Sequence, residues 1–416
     1  MLKIISADQA VGIAAEKSIE ASLQNTFAVG GALIDNRRAR VICALHNNVL
    51  ESYEKRKFLL LHDPTAHGER QLVDWYFKHR ERRKLPRPQD LTIVTTLDPC
   101  AMCAGAILTA GFNVAVSALD DYAGINYTGS FDFPSLPQKW KKAAQSTFAY
   151  YGVEAPVGRP FRGSKEVIFA NQNIRAATYY LTDTIFESSV NSVRLLDNNS
   201  GKDPAKLKNP ANLARNSPVR KAFSRACPEA FSVTCRTPRM PGKELAQKLV
   251  NIAKRGHDHG AALNSVAFLD PFGNLLLCLP GAEHHSPIRT AFMELTRTYA
   301  HIRWVLMNSP NASTRNQADE VLTHPKFGTF VFLYSPDPDT PQGIMTLGAY
   351  GSTMEGPIPQ SYPSNLQYVL LPDGTTNAMV ARRAMSLPPF YTTGVQLDPA
   401  QVLDSALTAE AARLLL

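Results

Sequence analysis

Four side chains in two short motifs could do chemistry together. His-Gly-Glu occupies residues 67–69, and Pro-Cys-Ala-Met-Cys occupies residues 99–103. Zinc prefers imidazole nitrogen and thiolate sulfur in a tetrahedral shell. Two cysteines three residues apart at the start of a helix present both sulfurs on one face, where the free N–H groups of the helix favour thiolates. The residue types therefore predict a zinc site formed by His67, Cys100 and Cys103.

Glu69 is placed to move protons at such a site. Three protein ligands leave a fourth position for water, and a catalytic zinc lowers the pKa of that water to roughly 7. Glu69 follows the ligand His67 by two residues, so its carboxylate can reach the water without binding the metal. An H-x-E motif followed by P-C-x-x-C is the signature of zinc deaminases. Cys-x-x-Cys alone also suits a redox pair or a structural zinc half-site, but a structural site needs a fourth ligand nearby, and the next cysteine is the distant Cys227.

Alternating helical and extended segments surround both motifs. Apolar residues recur with helical spacing or follow one another in short β-branched runs. The patterns predict a helix over Ala7–Leu23, a hairpin of strands over 27–34 and 41–45, a helix over 67–79, a strand over 91–96, a helix over 100–110 and a strand over 113–118. This order indicates an α/β fold, with a mixed sheet and helices on both faces.

Several stretches of the first part of the chain resemble a known family. They are AVGGALIDN (28–36), HN (46–47), DPTAHGE (63–69) and TLDPCAMCAGAI (96–107). Residues 1 to about 155 are similar to the cytidine-deaminase-like superfamily, in the branch of bacterial tRNA adenosine deaminase, guanine deaminase and fungal cytosine deaminase. The resemblance implies a three-layer αβα sandwich, a Zn²⁺ cofactor and Glu69 as the catalytic residue. It also implies that Asn47 binds the base and that Ala66 and Pro99 belong to the substrate pocket.

The order of elements in the first part recurs after residue 242. A helix over 243–255, strands over 264–270 and 275–279, a helix over 287–299 and a strand over 329–334 are predicted. We therefore expect two tandem copies of the fold. The second copy is degenerate, because no cysteine follows Cys278 and the helix over 287–299 contains no H-x-E. The expected organisation is a catalytic zinc deaminase domain (1–195), an irregular Pro-rich basic connector (196–242) and a deaminase-like domain without the zinc site (243–416).

The positive charge of the chain is concentrated in one segment. The net charge is +8, and residues 158–243 contain fifteen Lys and Arg against six Asp and Glu. Such a segment suits an anionic partner such as RNA, although a solvated linker has the same composition. Extra residues that include Lys55-Arg56-Lys57 lie beside the expected pocket, where a lid or an RNA contact is expected.

Three functions are compatible with these features. They are deamination of adenosine to inosine in tRNA, deamination of a free base or nucleoside of the guanine or cytosine type, and a non-catalytic RNA-binding scaffold. The intact set of His67, Glu69, Cys100 and Cys103 argues against the scaffold. The expected partners are a nucleobase, nucleoside or tRNA substrate, with a homodimer or an intramolecular pseudo-dimer of the two halves. No apolar run of about 18 residues and no secretory layout is seen, so we expect a cytoplasmic protein without a membrane partner.

Overall fold

The computed structural model describes residues 2–50, 61–197, 202–354, 358–359 and 363–416, with only the backbone of residues 191–197. The helices are α1 Ala7–Leu23, α2 Gly68–Arg83, α3 Ala101–Ala110, α4 Gln138–Thr147, α5 Ala176–Asp197, α6 Pro218–Ala226, α7 Ala246–Asp258, α8 Ala291–Met307, α9 Ala312–Val321, α10 Pro341–Met354, α11 Asn377–Met385 and α12 Ser405–Leu415. The strands are β1 Gly30–Asp35, β2 Arg40–His46, β3 Leu91–Leu97, β4 Asn113–Ala118, β5 Phe148–Tyr150, β6 Gly152–Val153, β7 Arg162–Gly163, β8 Asn173–Ile174, β9 Ser265–Leu269, β10 Leu275–Pro280, β11 Thr329–Tyr334, β12 Leu366–Leu370 and β13 Ala400–Gln401.

The first sheet is the middle layer of an αβα sandwich. Its order is β2-β1-β3-β4-β5-β7, with β3, β4 and β5 parallel and the other pairs antiparallel. Adjacent residues of one strand enter different cores: Leu33 packs with α2 and α3, whereas Ile34 packs with α1. Because successive side chains of a strand point to opposite faces, helices cover both sides of this sheet. The three-layer sandwich expected for the first part is confirmed.

The second sheet repeats the topology of the first five strands. Its order is β10-β9-β11-β12-β13; β9 is antiparallel to β10 and β11, and β11, β12 and β13 are parallel. The register is also repeated, as four Cα pairs show: Thr92↔Asn113 and Val114↔Phe148 in the first sheet, Phe330↔Leu366 and Gln367↔Ala400 in the second. The outer helices correspond too, since α5 packs on α1 and α12 packs on α7.

The part of the chain up to residue 195, here called the first half, meets the part from residue 243, the second half, where helix α3 packs on helix α10. Glycines let the two backbones approach closely. A Cβ atom on Gly348 would lie 2.2 Å from the backbone nitrogen of Met102, and one on Gly105 would lie 2.5 Å from the carbonyl oxygen of Pro341. The second half therefore packs directly on the helix that begins at the Cys-x-x-Cys motif.

Several predicted elements differ from the observed ones. Helix α2 runs to Arg83, four residues beyond its predicted end. The connector is not wholly irregular: α6 lies within it, with the Ser217 hydroxyl accepting from the backbone N–H of Arg220. Strands β5–β8, helices α4, α5, α9 and α10, and most of the elements after residue 354 were not predicted. The basic insertion at Lys55-Arg56-Lys57 lies outside the described residues. Each helix in the described part of the chain is too short or too polar to cross a membrane.

Candidate functional site

The two motifs lie at the N-termini of neighbouring helices. His67 is the N-cap residue of α2 and Cys100 is the N-cap residue of α3, both with extended backbone angles. Cys103 lies in the first turn of α3 and is fully buried. Since α2 follows the β1–β2 hairpin and α3 follows β3, the central strands bring the two helix ends together. The prediction that each motif opens a helix is confirmed.

The donor atoms of His67, Cys100 and Cys103 fit a zinc ion. All three lie within 4.8 Å of one another, and His67 Nδ1 is 3.5 Å from Cys100 Sγ. Tetrahedral coordination with Zn–S near 2.3 Å and Zn–N near 2.0 Å puts nitrogen and sulfur about 3.5 Å apart. Among the residues that the structure describes, this is the one cluster of His, Cys, Asp and Glu with the geometry to hold a metal.

The proton balance of the cluster favours a bound cation. A hydrogen bond from Cys103 and the nearby His67 lower the pKa of Cys100 well below its usual value, against the effect of burial. Burial and the neighbouring Cys100 raise the pKa of Cys103 well above its usual value. Burial lowers the pKa of His67, but the Cys100 thiolate outweighs it and raises that pKa. The cluster without metal thus holds one thiolate, Cys100, beside one thiol, Cys103. A divalent cation bound by both sulfurs would stabilise both as thiolates, and the Cys103 proton would leave.

Glu69 lies beside the cluster in a buried position. Its side chain is 3% exposed, and its Oε1 accepts a hydrogen bond of 2.9 Å from the Thr95 hydroxyl of β3. Burial, followed by the charge of Cys100, raises the pKa of Glu69 above its usual value. A buried carboxyl with a raised pKa beside a candidate metal site has the character of a general acid–base group.

The three residues expected to contact a base lie next to the two motifs. Asn47 is buried directly after β2, and its Oδ1 accepts a hydrogen bond of 2.7 Å from the backbone N–H of Gly68. The carbonyl oxygen of Ala66 accepts from Asn48 and Gln71, and the carbonyl oxygen of Pro99 accepts from Ile125. Asn47 is therefore tied to the start of α2 between His67 and Glu69, and protein donors already occupy the two carbonyls.

The second half contributes two side chains that sequence motifs did not reveal. Tyr391, in a π-helical turn at Phe390–Gly394, is fully buried, and burial, followed by the charge of the nearby Cys100, raises the pKa of its hydroxyl well above the usual value. Arg297 of α8 donates from Nε to Asp63 Oδ2 at 3.0 Å, four residues before His67. Neither residue lies in a recognisable motif, and both are more than 200 positions from the residue they contact. Only the tertiary fold brings them to the site.

The chain was compared with known protein families and solved structures. Residues 6–118 match the family model of the cytidine and deoxycytidylate deaminase zinc-binding region. No curated protein matches the chain. A solved structure from work on tRNA deaminases that perform A-to-I editing at the wobble position of transfer RNA shares 25% identity, covers 28% of this chain and 81% of its own, and has a TM-score of 0.23. A structure of guanine deaminase from Nitrosomonas europaea shares 13% identity over 45% of this chain and 87% of its own, with a TM-score of 0.29.

The family match coincides with the metal geometry. The matched residues contain both motifs, and the described structure puts His67, Cys100 and Cys103 at distances that suit zinc. Residues 6–118 of this chain therefore match the zinc-binding region of cytidine and deoxycytidylate deaminases, and the residues that could hold zinc lie within the matched stretch.

Proposed function

We propose that the chain is a hydrolytic deaminase that replaces the exocyclic amine of a nucleobase ring with oxygen. The observation that carries the proposal is the buried Glu69 carboxyl beside a three-residue zinc site. Zinc bound by three protein ligands supplies a Lewis acid that makes water nucleophilic near neutral pH. A structural zinc site would need neither an open coordination position nor a buried carboxyl beside it.

Glu69 moves the protons of this reaction. Its carboxylate accepts a proton from the attacking water and passes protons to the ring nitrogen and to the amine, which leaves as ammonia. The Thr95 hydroxyl orients Glu69 Oε1. We assign Asn47 to holding the base through its amide nitrogen, because its Oδ1 already accepts from the backbone N–H of Gly68. Ala66 and Pro99 are assigned to the wall of the pocket and not to hydrogen bonds with the base, because protein donors already occupy their carbonyl oxygens.

Residues 243–416 are a diverged second copy of the deaminase fold, with 1–195 as the catalytic domain and 196–242 as the connector. The repeated strand order and register support this organisation. The second copy takes the place that a second subunit would take, so the chain forms an intramolecular pseudo-dimer through α3 and α10. Across this interface Tyr391 lies near Cys100, and Arg297 binds Asp63, four residues before His67.

A free base or nucleoside is the substrate that the charge distribution favours. Many positive side chains of the basic segment are bound within the protein. Arg159 donates to the carbonyls of Ser117 and Tyr151, Lys202 and Lys208 pair with Asp319 and Glu320, and Arg220 donates to the carbonyls of Ala211 and Leu213. Such engaged cations do not form a free phosphate-binding surface.

Adenosine in tRNA is the second candidate substrate. The observation that favours it is the basic end of α2, where exposed Lys78, Arg80, Arg82 and Arg83 follow one another closely. A helix of sixteen residues is about 24 Å long, so these charges are well removed from His67 and suit a large polyanion better than a small base. Steep salt dependence of binding would accompany this substrate.

The test is ammonia release from a panel by the zinc-loaded full chain. The panel contains guanine, cytosine, adenine, their nucleosides and a tRNA pool. Glu69→Ala removes the proposed proton carrier, and Glu320→Ala, a surface carboxylate paired with Lys208, is the matched control. Salt-insensitive release from one free base or nucleoside, lost only in Glu69→Ala, supports the first substrate; inosine formed only in tRNA supports the second. A zinc-bound chain that is silent on the whole panel contradicts the proposal.

A further inference from the structure

The second half contains a cavity at the position that the zinc site occupies in the first half. The cavity, here called the second-half cavity, has a volume of about 390 Å³. It lies where strands β9 and β11 meet the starts of helices α8 and α10. In the first half, the corresponding strands β1 and β3 meet the starts of α2 and α3 around the zinc ligands. The size lies within the range of small-molecule sites in proteins.

Different residues occupy the corresponding positions of the helices in the two halves. Counted from the helix starts, Thr290 stands for His67, Phe292 for Glu69, Thr340 for Cys100 and Gly343 for Cys103. All four second-half residues line the second-half cavity. Two hydroxyls, a phenyl ring and a glycine offer neither the nitrogen and sulfur donors of a zinc site nor a proton carrier. The second half therefore retains a cavity at this position but lacks the zinc ligands and the proton carrier of the first half.

Two hydroxyl groups of the second-half cavity have no hydrogen-bond partner among the residues that the structure describes. Ser335, directly after β11, is only 3% exposed, and its Oγ makes no hydrogen bond. Thr290 Oγ1 is likewise buried and unpaired. Leaving a buried polar group unsatisfied is unfavourable, so such groups in a cavity favour a ligand or water that completes their hydrogen bonds.

Charge and shape restrict the ligand class. The described lining includes the carboxylates of Glu283, Asp337 and Asp373 and contains no Lys, Arg or His. Negative lining disfavours a phosphate and favours amino groups. The aromatic rings of Phe292 and Tyr334 also line the cavity, and aromatic rings pack well against a planar heterocycle.

We propose that the second-half cavity binds a planar, amine-bearing heterocycle without phosphate, of nucleoside size, and does not convert it. The amino group faces the carboxylates, and ring or sugar polar atoms satisfy Ser335 and Thr290. This site stands on its own residues and is independent of turnover at the zinc site. It gives the chain two binding sites for related molecules, of which the first can carry out a reaction.

The test counts binding sites by equilibrium dialysis of the full chain carrying Glu69→Gln, so that ligand is not consumed. The probes are adenosine and cytidine, with AMP and CMP as phosphate-bearing controls and inosine and uridine as controls without the amine. Thr290→Val with Ser335→Ala removes both free hydroxyls with little change of shape. Ser313→Ala with Thr314→Val on α9 is the matched pair outside the cavity. Asn47→Ala perturbs the zinc half alone.

We expect a nucleoside site that weakens about tenfold in the Thr290→Val/Ser335→Ala variant and is unchanged in the α9 pair and in Asn47→Ala. AMP and CMP, which carry a phosphate, and inosine and uridine, which lack the amine, should bind this site about tenfold more weakly than adenosine and cytidine. Nucleoside binding that responds to Asn47→Ala and ignores the cavity substitutions overturns the proposal, as does equal binding of AMP and adenosine. Because the phosphate comparison uses no cavity substitution, it decides the matter even if the double variant is unstable. Failure of the proposed deamination leaves these binding results unaffected, so the two failures are distinguishable.

Discussion

The zinc site and the second-half cavity show how one backbone arrangement serves two kinds of site. In both halves, two helices begin at the ends of strands with the same order and register. In the first half, His67 and Cys100 cap those helices; in the second, Thr290 and Thr340 hold the same positions. The fold therefore provides the pocket, and the side chains at the helix starts decide whether it carries a metal.

The exchange at the Glu69 position shows what the second half gained. Phe292 lies in the apolar core of the second half, where its ring is stacked on that of Phe332 with the ring centres 5.4 Å apart. A buried carboxyl such as Glu69 costs stability unless it is hydrogen-bonded, whereas a buried phenyl ring adds apolar packing. The second half thus has an apolar ring at this one position, whereas the first half keeps a buried carboxyl, the proposed proton carrier.

The largest expected effect separates the cysteines of the two halves. Cys103→Ser removes a buried zinc ligand, so we expect bound zinc to fall from about one ion per chain to almost none, with loss of activity. Cys278→Ala alters a buried cysteine of the second half, whose pKa burial raises well above its usual value, and it should leave zinc content unchanged. Metal analysis after gel filtration measures both. Equal zinc loss in the two variants would contradict a site confined to the first half.

Glu69→Gln should leave zinc bound and lower turnover by about 10²- to 10⁴-fold, because the amide keeps the shape and cannot carry a proton. The measurement is the initial rate on the substrate found in the panel, with zinc content determined on the same sample. Glu320→Gln is the matched control on the surface of the second half. Turnover that survives in Glu69→Gln would remove Glu69 from the proton path and weaken its contrast with Phe292.

The contact between the halves can be tested by matched glycines. Gly348→Ala puts a Cβ atom against the backbone of Met102, so we expect the free energy of unfolding to fall by about 1–3 kcal/mol. Helix α3 should shift with it and weaken zinc binding. Gly12→Ala, in α1, meets no atom within 4 Å and should raise the free energy of unfolding by up to about 1 kcal/mol. Chemical denaturation measures both. An unchanged free energy of unfolding in Gly348→Ala would mean that the backbones of α3 and α10 are not in close contact.

The parts of the molecule that the sequence predicted well are those governed by local pattern. Helix α1 was predicted with its observed bounds, and Cys100 with Cys103 opens a helix because a Cys-x-x-Cys motif followed by small apolar residues suits a buried helix start. The repeated order of elements after residue 242 was visible for the same reason. These features depend on the periodicity of neighbouring residues.

The parts that were missed depend on distant partners. The two-residue strands β6 and β8 are too short to show periodicity. Tyr391 resembles any other buried tyrosine in the sequence, and its place beside Cys100 results from the packing of α10 on α3. The second-half cavity was not predicted, because a Thr, a Phe and a Gly at helix starts form no motif. Absence of the zinc ligands was predictable, but retention of the space was not.

The smallest expected effect concerns the charges that join the halves. Arg297 is 31% exposed and pairs with the buried Asp63 and with Asp74, which Arg70 also contacts. Burial raises the pKa of Asp63, but Arg70 and Arg297 outweigh it and hold that pKa below 3.8. A lowered folded-state pKa contributes stability above the unfolded pKa, and that contribution is lost as pH falls through the folded pKa.

Arg297→Met keeps the length of the side chain and removes its charge. We expect the free energy of unfolding at pH 7 to fall by about 1 kcal/mol, because Arg70 still pairs with both carboxylates. The difference from the unaltered chain should shrink as pH falls below the unfolded-state pKa of an aspartate, about 4, and through the lowered folded-state pKa of Asp63, because the protonated carboxyl no longer pairs with Arg297. Arg413→Met, at an exposed pair with Glu410, is the control and should change stability little at any pH. A difference for Arg297→Met that stays constant from pH 7 to pH 3 would show that the arginine acts by packing, and the two halves would then be joined by apolar contact between helices rather than by charge.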